Sequence, residues 1–317
     1  MKKFITAAAL AVGALVAGQA AAFDTVKIMI PANPGGGYDQ TGRSLGAAMQ
    51  AAGAAKTVTY ENKGGSGGVI GLAQFVNNDK GSLNSLIVMG AVMVGAIETN
   101  KPPVTLKNAT PVARLFGDAM VVVVPANSKI QSMKDLLAQL KDKPGSVSWS
   151  GGSRGSIDHI LAALLAKEAG VDPTKVNYIA SAGGGESAAA IIGGQVTVGL
   201  AGYSEFAQHL KSGKMRALAV SSAAKLPGEK TATLKEQGIN IEIYNWRGVY
   251  GAPGITEVQQ KALIDAVVAA TKTPAWGSTL EKNDWTPLLL TGAEFGKFVE
   301  GESARIGALL KEVGIAK

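Results

Sequence analysis

VKIMIPANPGGGYDQTGRSLGAAMQA, residues 26–51, holds in one stretch the unit on which the whole chain is built. Residues 26–30 are a short apolar run with β-branched side chains, the composition of a buried strand. Pro31 to Gly37 supply a turn rich in proline and glycine, and residues 40–51 have helical composition. The unit is strand, glycine-rich turn, helix.

Working outward, the unit recurs. KTVTYEN (56–62) is followed by a glycine-rich turn at 64–68 and a helical segment at 69–77. Further strand candidates are 85–90, 121–125, 147–150, 176–180, 196–200 and 216–221, with amphipathic helices at 132–140, 157–169 and 258–271 between or after them. This rhythm predicts an α/β protein with largely parallel sheets covered by helices. At 317 residues the chain is too long for one simple sheet. MVVVVP (120–125), ending on an Ala-Asn-Ser turn, marks a change of lobe, and NWRGVYGAP (245–253) marks a return. One lobe is therefore expected at 23–122 plus 250–317, and the other at 123–249.

The first residues have the order of a secretory leader. Lys2 and Lys3 precede the apolar run 4–16, and Ala20-Ala21-Ala22 offers a small-residue cleavage site. The leader is expected to span 1–22, with cleavage after Ala22. Its apolar run is too short to serve as a mature membrane-spanning helix. The sequence has no cysteine, which excludes lipid attachment at a leader cysteine, disulfides, thiolate catalysis and cysteine metal sites.

Lys and Arg number 31 against 24 Asp and Glu, an excess of seven, or five once Lys2 and Lys3 are set aside. The excess is diffuse. A nucleic-acid binder concentrates its charge on one stripe, so no nucleic-acid partner is expected. A diffuse positive field suits the attraction of small anions.

Four strand–turn–helix junctions are rich in glycine and serine: 28–39, 61–71, 148–158 and 178–187. A helix start leaves backbone N–H groups unpaired and carries about half a positive charge. Glycine lets an anion approach those amides, so several such starts facing one cleft would bind a carboxylate or phosphate. The expected ligand contacts are Asn33, Gly35, Gly36, Gly37, Tyr38 and Asp39 in the first loop. In the third they are Ser150, Gly151, Gly152, Ser153 and Ser156, joined by Gly184 and Tyr203. Gly36 is expected to need left-handed geometry, and Arg154 to pair with a distal carboxylate or lie exposed at the rim. Asp39 and Asp158 occupy matching places after their loops, where each can accept loop amides or simply favour the helix dipole.

Other chemistries fit poorly. No Lys-Ser/Thr opens a helix after a glycine loop, and no G-x-G-x-x-G has an acidic ribose partner, so no nucleotide cofactor is expected. His159 and His209 are the only histidines and have no neighbouring ligand cluster, so no metal is expected. A relay from Ser153 or Ser156 to His159 is imaginable, but G-x-S-x-G is absent.

PANPGGGYDQTGR (31–43), ENKGGSGGVIG (61–71) and SWSGGSRGSIDHILAALLAKEAGVDP (148–173) resemble, in order, segments of the TctC or Bug family of tripartite tricarboxylate transporter receptors. GGQVTVGLAGYSEF (193–206), GKMRALAVSS (213–222) and NWRGVYGAPG (245–254) continue the series, which covers essentially the whole mature chain. The resemblance implies a two-lobed type II periplasmic-binding-protein fold, each lobe a mixed, mostly parallel sheet flanked by helices. It implies a carboxylate gripped in the cleft by loops 33–39 and 150–156, with no catalysis. A free periplasmic protein is implied, monomeric and partnered by one large and one small integral permease subunit. Where many members have Val-Pro-Tyr-x-Gly, this chain reads Val176-Asn177-Tyr178-Ile179-Ala180, closer to the tricarboxylate branch than to amino-acid receptors. That favours a citrate-like tricarboxylate or a C4 dicarboxylate. The same closure serves a sensor feeding a membrane kinase, and both uses stay open at this point.

Overall fold

The computed structural model describes residues 23–181 and 184–316. The leader expected at 1–22 lies outside the described residues. The elements run β1 (Phe23–Ile30), α1 (Gly37–Ala51), β2 (Ala55–Asn62), α2 (Val69–Asn78), β3 (Ser85–Gly90), α3 (Ala91–Asn100) and β4 (Thr110–Pro125). They continue α4 (Met133–Asp142), β5 (Ser148–Gly151), α5 (Ile157–Glu168), β6 (Asn177–Ala180), α6 (Gly184–Ile192), β7 (Val198–Gly202), α7 (Tyr203–Lys211) and β8 (Met215–Val220). The chain ends with β9 (Tyr244–Gly251), α8 (Glu257–Thr271), α9 (Pro274–Lys282), β10 (Thr286–Thr291) and α10 (Gly292–Glu312).

β1 lies between β2 and β3, parallel to both, because each is joined to the next by a helical crossover. β3 is buried at every position, as a continuous apolar run predicts for a strand covered on both faces. β9 pairs antiparallel with β3 on one side and with β4 on the other, and β10 adds to β4. The second sheet is built from β6, β5 and β7, mutually parallel, with β7 and β8 antiparallel to β4. β4 therefore belongs to both sheets. Its residues up to Ala119 pair with β9, and from Met120 onward it pairs with β7.

The alternation of side chains along a strand divides the core at β4. Met120, Val122 and Val124 join the large apolar cluster, whereas Ala119, Val121 and Val123 join a smaller one beneath α6 and α7. Phe116 stacks on Trp285 with ring centroids 3.8 Å apart, anchoring β10 to the same strand.

The sheets are mixed rather than largely parallel, because β4 and β9 run against their neighbours, and β9 and β10 were not among the strand candidates. Two further elements differ in extent. α1 begins at Gly37 rather than near residue 40, which adds Tyr38 to the first turn where Asp39 was expected. β4 is 16 residues long, although only its last five read as strand. Arg114 and Asp118 interrupt the apolar pattern of its first half, and each has a specific partner. The Arg114 guanidinium lies 4.2 Å over the Phe298 ring, and Asp118 accepts hydrogen bonds from the Ser204 backbone N–H and hydroxyl.

Candidate functional site

A cavity of about 780 Å³ opens between the loops at the carboxyl ends of β1, β2 and β5 and the start of α6. This is where open α/β sheets place ligands. Two of its loops are held by carboxylates in the helices they feed. Asp39 accepts from the Gly35 N–H (2.9 Å), the Arg43 Nε–H (2.9 Å) and the Asn62 amide (2.9 Å). Burial disfavours the Asp39 charge, but the bonds from Arg43, Gly35 and Asn62 outweigh it and hold the carboxyl below its ordinary range. Asp158 accepts from the Gly152 N–H (3.1 Å) and the Ser156 hydroxyl (2.8 Å). There burial wins and the carboxyl is pushed up, with Ser156, Gly152 and Arg247 opposing. Both acids thus accept loop amides, whatever they also do for the helix dipole.

The left-handed residue of the first loop is Gly35 (φ 87°), not Gly36 as expected. Gly36 has an extended φ of −85°, and a side chain there would meet only the Asn33 carbonyl, at 3.8 Å. Gly37 is the crowded position. A Cβ there would lie 2.6 Å from Arg247 Nη2.

Of the expected contacts, Asn33, Gly35, Gly36, Gly37, Tyr38, Gly152, Ser153 and Gly184 line this cavity. Asp39, Ser150, Gly151, Ser156 and Tyr203 do not. Ser150 is fully buried and bonded to the Ser181 and Ser187 hydroxyls, so it supports the wall from behind. Tyr203 is fully buried in the smaller core cluster, because the first turn of α7 directs it inward. Arg154 is exposed and is not part of the wall.

The chemistry of the wall lies mostly in residues the sequence did not single out. Arg247 on β9 is 5% exposed, with its guanidinium 4.6 Å over the Tyr38 ring. The Tyr38 hydroxyl accepts the Met93 N–H at 3.0 Å. Glu205, in the first turn of α7, has its Oε1 3.7 Å from Arg247 Nη2. Burial pushes Glu205 up to about 7, with Arg247 opposing and Asp158 and Asp118 adding to the rise. Burial likewise raises Asp118 to about 6, against the Ser204 bonds and Arg247. The fourth position of a strand, Arg247 in NWRG, and a first-turn acid after VGLAG were the available signals. Neither looks unusual in a sequence.

A raised acid binds its proton more tightly in the folded state, so stability is lost as pH climbs from the unfolded value through the folded one. Glu205 is therefore expected to cost the fold on the order of 3 kcal/mol between pH 4.5 and about 7. Thermal melts across that window should be flatter for Glu205→Gln than for the natural protein. Equal slopes would show that the carboxyl does not titrate there.

The relay imagined for His159 is absent among the described residues. Its Nδ1 accepts the Gly155 N–H at 3.1 Å, its ring stacks on Tyr178, and burial lowers its pKa to about 4. The Ser156 hydroxyl donates a hydrogen bond to Asp158 instead. No group of three or more metal-ligating side chains exists among the described residues, and none of their helices is long and apolar enough to cross a membrane.

The loops of the two sheets meet on one side of the cavity. A Cβ at Gly67 would lie 3.2 Å from Ser153 Oγ, and one at Gly95 would run into the Gly155 carbonyl.

Comparisons with known proteins agree with this architecture. A protein of Cupriavidus necator described as the UPF0065 protein in the gbd 5' region is 28% identical over 267 residues, covering 82% of this chain and 79% of that one. MatC of Rhodopseudomonas palustris, solved with bound malate, superposes with a TM-score of 0.77 at 20% identity, covering 90% of this chain and 98% of that one. A second R. palustris protein, solved with adipate, gives 0.80 at 21% identity, covering 92% and 98%. Both structures share the fold. Residues 43–315 match the model of the tripartite tricarboxylate transporter family receptors, so this chain belongs to that family and is a solute-binding receptor, not an enzyme.

Proposed function

We propose that this receptor works in the periplasm as a monomer, closing two lobes, expected at 23–122 plus 250–317 and at 123–249 but with all of β9 seated in the first sheet, around a di- or tricarboxylate and presenting it to integral permease subunits. Arg247 carries this reading. Among the described residues it is the one cation lining the cavity, on a wall of glycines and serines that also carries Asp158, Glu186 and Glu205, and burial keeps its charge effective. Malate in MatC and adipate in the second R. palustris protein are both dicarboxylates, which supports the class. The proposed contacts are the wall residues of loops 33–38 and 152–153 with Gly184, while Asp39 and Asp158 hold the loops in shape.

Calorimetric titration with citrate, tricarballylate, malate and succinate tests the reading. At least one should bind reversibly, micromolar or tighter, without turnover. Binding of none of them, alongside clear binding of a sugar or peptide, would end it.

A further inference from the structure

Glu205 occupies an odd place for an acid in an anion-binding wall. Its carboxylate lies between the starts of α1 and α6. A Cβ at Gly37 would sit 3.3 Å from its Oε1, and one at Gly184 would run into its Oε2. Its side chain is 16% exposed, and its Arg247 neighbour at 3.7 Å is beyond hydrogen-bond length. Among the described residues no donor reaches either oxygen. Asn245 faces the same cavity, is 2% exposed, and its Oδ1 also has no partner. Asn245 Oδ1, buried without a partner, and the partly exposed Glu205 carboxylate beside it therefore favour a ligand that brings donors, since an unpaired buried acceptor costs free energy.

A ligand offering only carboxylates cannot supply such donors, and it places like charge against Glu205. Resting on the carboxylate reading above, the geometry points to Glu205 as a specificity-determining residue that accepts a hydrogen bond from a ligand hydroxyl. The cleft then prefers a hydroxy acid to the same acid without the hydroxyl. Arg247 beside Glu205 offsets part of its pull on an ammonium, and comparing aspartate with malate separates that donor from a hydroxyl. The charged and titratable groups around Glu205 are Arg247 from β9, Tyr38 from α1, Asp118 from β4 and Asp158 from α5, with Glu186 of α6 on the same wall. With its carboxyl titrating near 7, Glu205 is the stronger acceptor at pH 8 and the weaker at pH 6.

The test is calorimetry on two matched pairs, malate with succinate and citrate with tricarballylate, for the natural protein, Glu205→Gln and Glu205→Ala. At pH 8 the natural protein should bind the hydroxy member of at least one pair tenfold or more tighter, and the ratio should shrink at pH 6. Glu205→Ala should bring the ratio close to one. Glu205→Gln, which keeps the shape and a neutral acceptor, should leave a ratio of about threefold. Equal affinities within each pair for the natural protein, or an undiminished ratio in Glu205→Ala, would overturn the assignment and leave the carboxylate reading standing. Tighter binding of aspartate than malate would assign an ammonium donor and overturn the hydroxyl. Binding of none of the acids would overturn the carboxylate reading and this one with it. If Glu205→Ala does not fold, the matched pairs in the natural protein and in Glu205→Gln still decide.

Discussion

Arg247→Ala is expected to weaken carboxylate binding at least thirtyfold. Arg247 lies 3.7 Å from Glu205, an ion pair without a hydrogen bond, and removing one partner of such a largely buried pair costs about 2 kcal/mol or more, because the remaining charge is left without compensation. Here the loss has two parts. The ligand loses the one cation lining the cavity among the described residues, and Glu205, Asp118 and Asp158 lose the charge that opposes their rise in pKa. The double replacement Arg247→Ala with Glu205→Gln separates them, since it should recover much of the stability and little of the affinity. Titration calorimetry and thermal melts read the two quantities independently. Affinity unchanged in a folded Arg247→Ala protein would show that the ligand carboxylate sits elsewhere.

Gly95→Val acts on the far side of the cavity. The α3 backbone at Gly95 presses on the loop before α5, where a Cβ would overlap the Gly155 carbonyl and stand 3.7 Å from Ser156 Cα. Those are backbone atoms and cannot rotate aside, so the two elements must part. Overpacking of this kind costs roughly 1–3 kcal/mol. If the contact forms only when the lobes close, that penalty falls on the bound state and should weaken binding about 5- to 150-fold. The melting temperature without ligand should move little. Equal loss of stability in the free and bound proteins would show that the contact is permanent.

The α/β class and most element positions were legible because each depends on a local pattern. The apolar run 85–90 and the amphipathic stretch 258–271 need no distant information to be recognised. The glycine-rich turns around 33–37 and 64–68 could be read as close backbone approaches for the same reason, and both line the cavity. The first half of β4 was not legible, because its Arg114 and Asp118 are tolerated only through partners on α10 and α7. Arg247 and Glu205 were missed on similar grounds. Each looks like an ordinary surface charge in its own segment, and they become a buried pair only when β9 and α7 are brought side by side. Local pattern reports what a residue does to its own element. It is silent on charges whose meaning lies in tertiary contact.

The path of β4 also orders how the molecule can be made. The strands of the second sheet that flank β4 lie between Ser148 and Val220, one continuous stretch, so that sheet can assemble as soon as it has been synthesised. The first sheet cannot. Leu86 of β3 waits for Gly251 of β9, and Arg114 of β4 waits for Leu290 of β10. β1, β2 and β3 are translated first and completed last, carrying an unpaired apolar edge while everything between is made. Long-range pairing of that kind is slow and exposed to aggregation. A nascent chain of this protein therefore has reason to be held unfolded until its C-terminal segment has emerged.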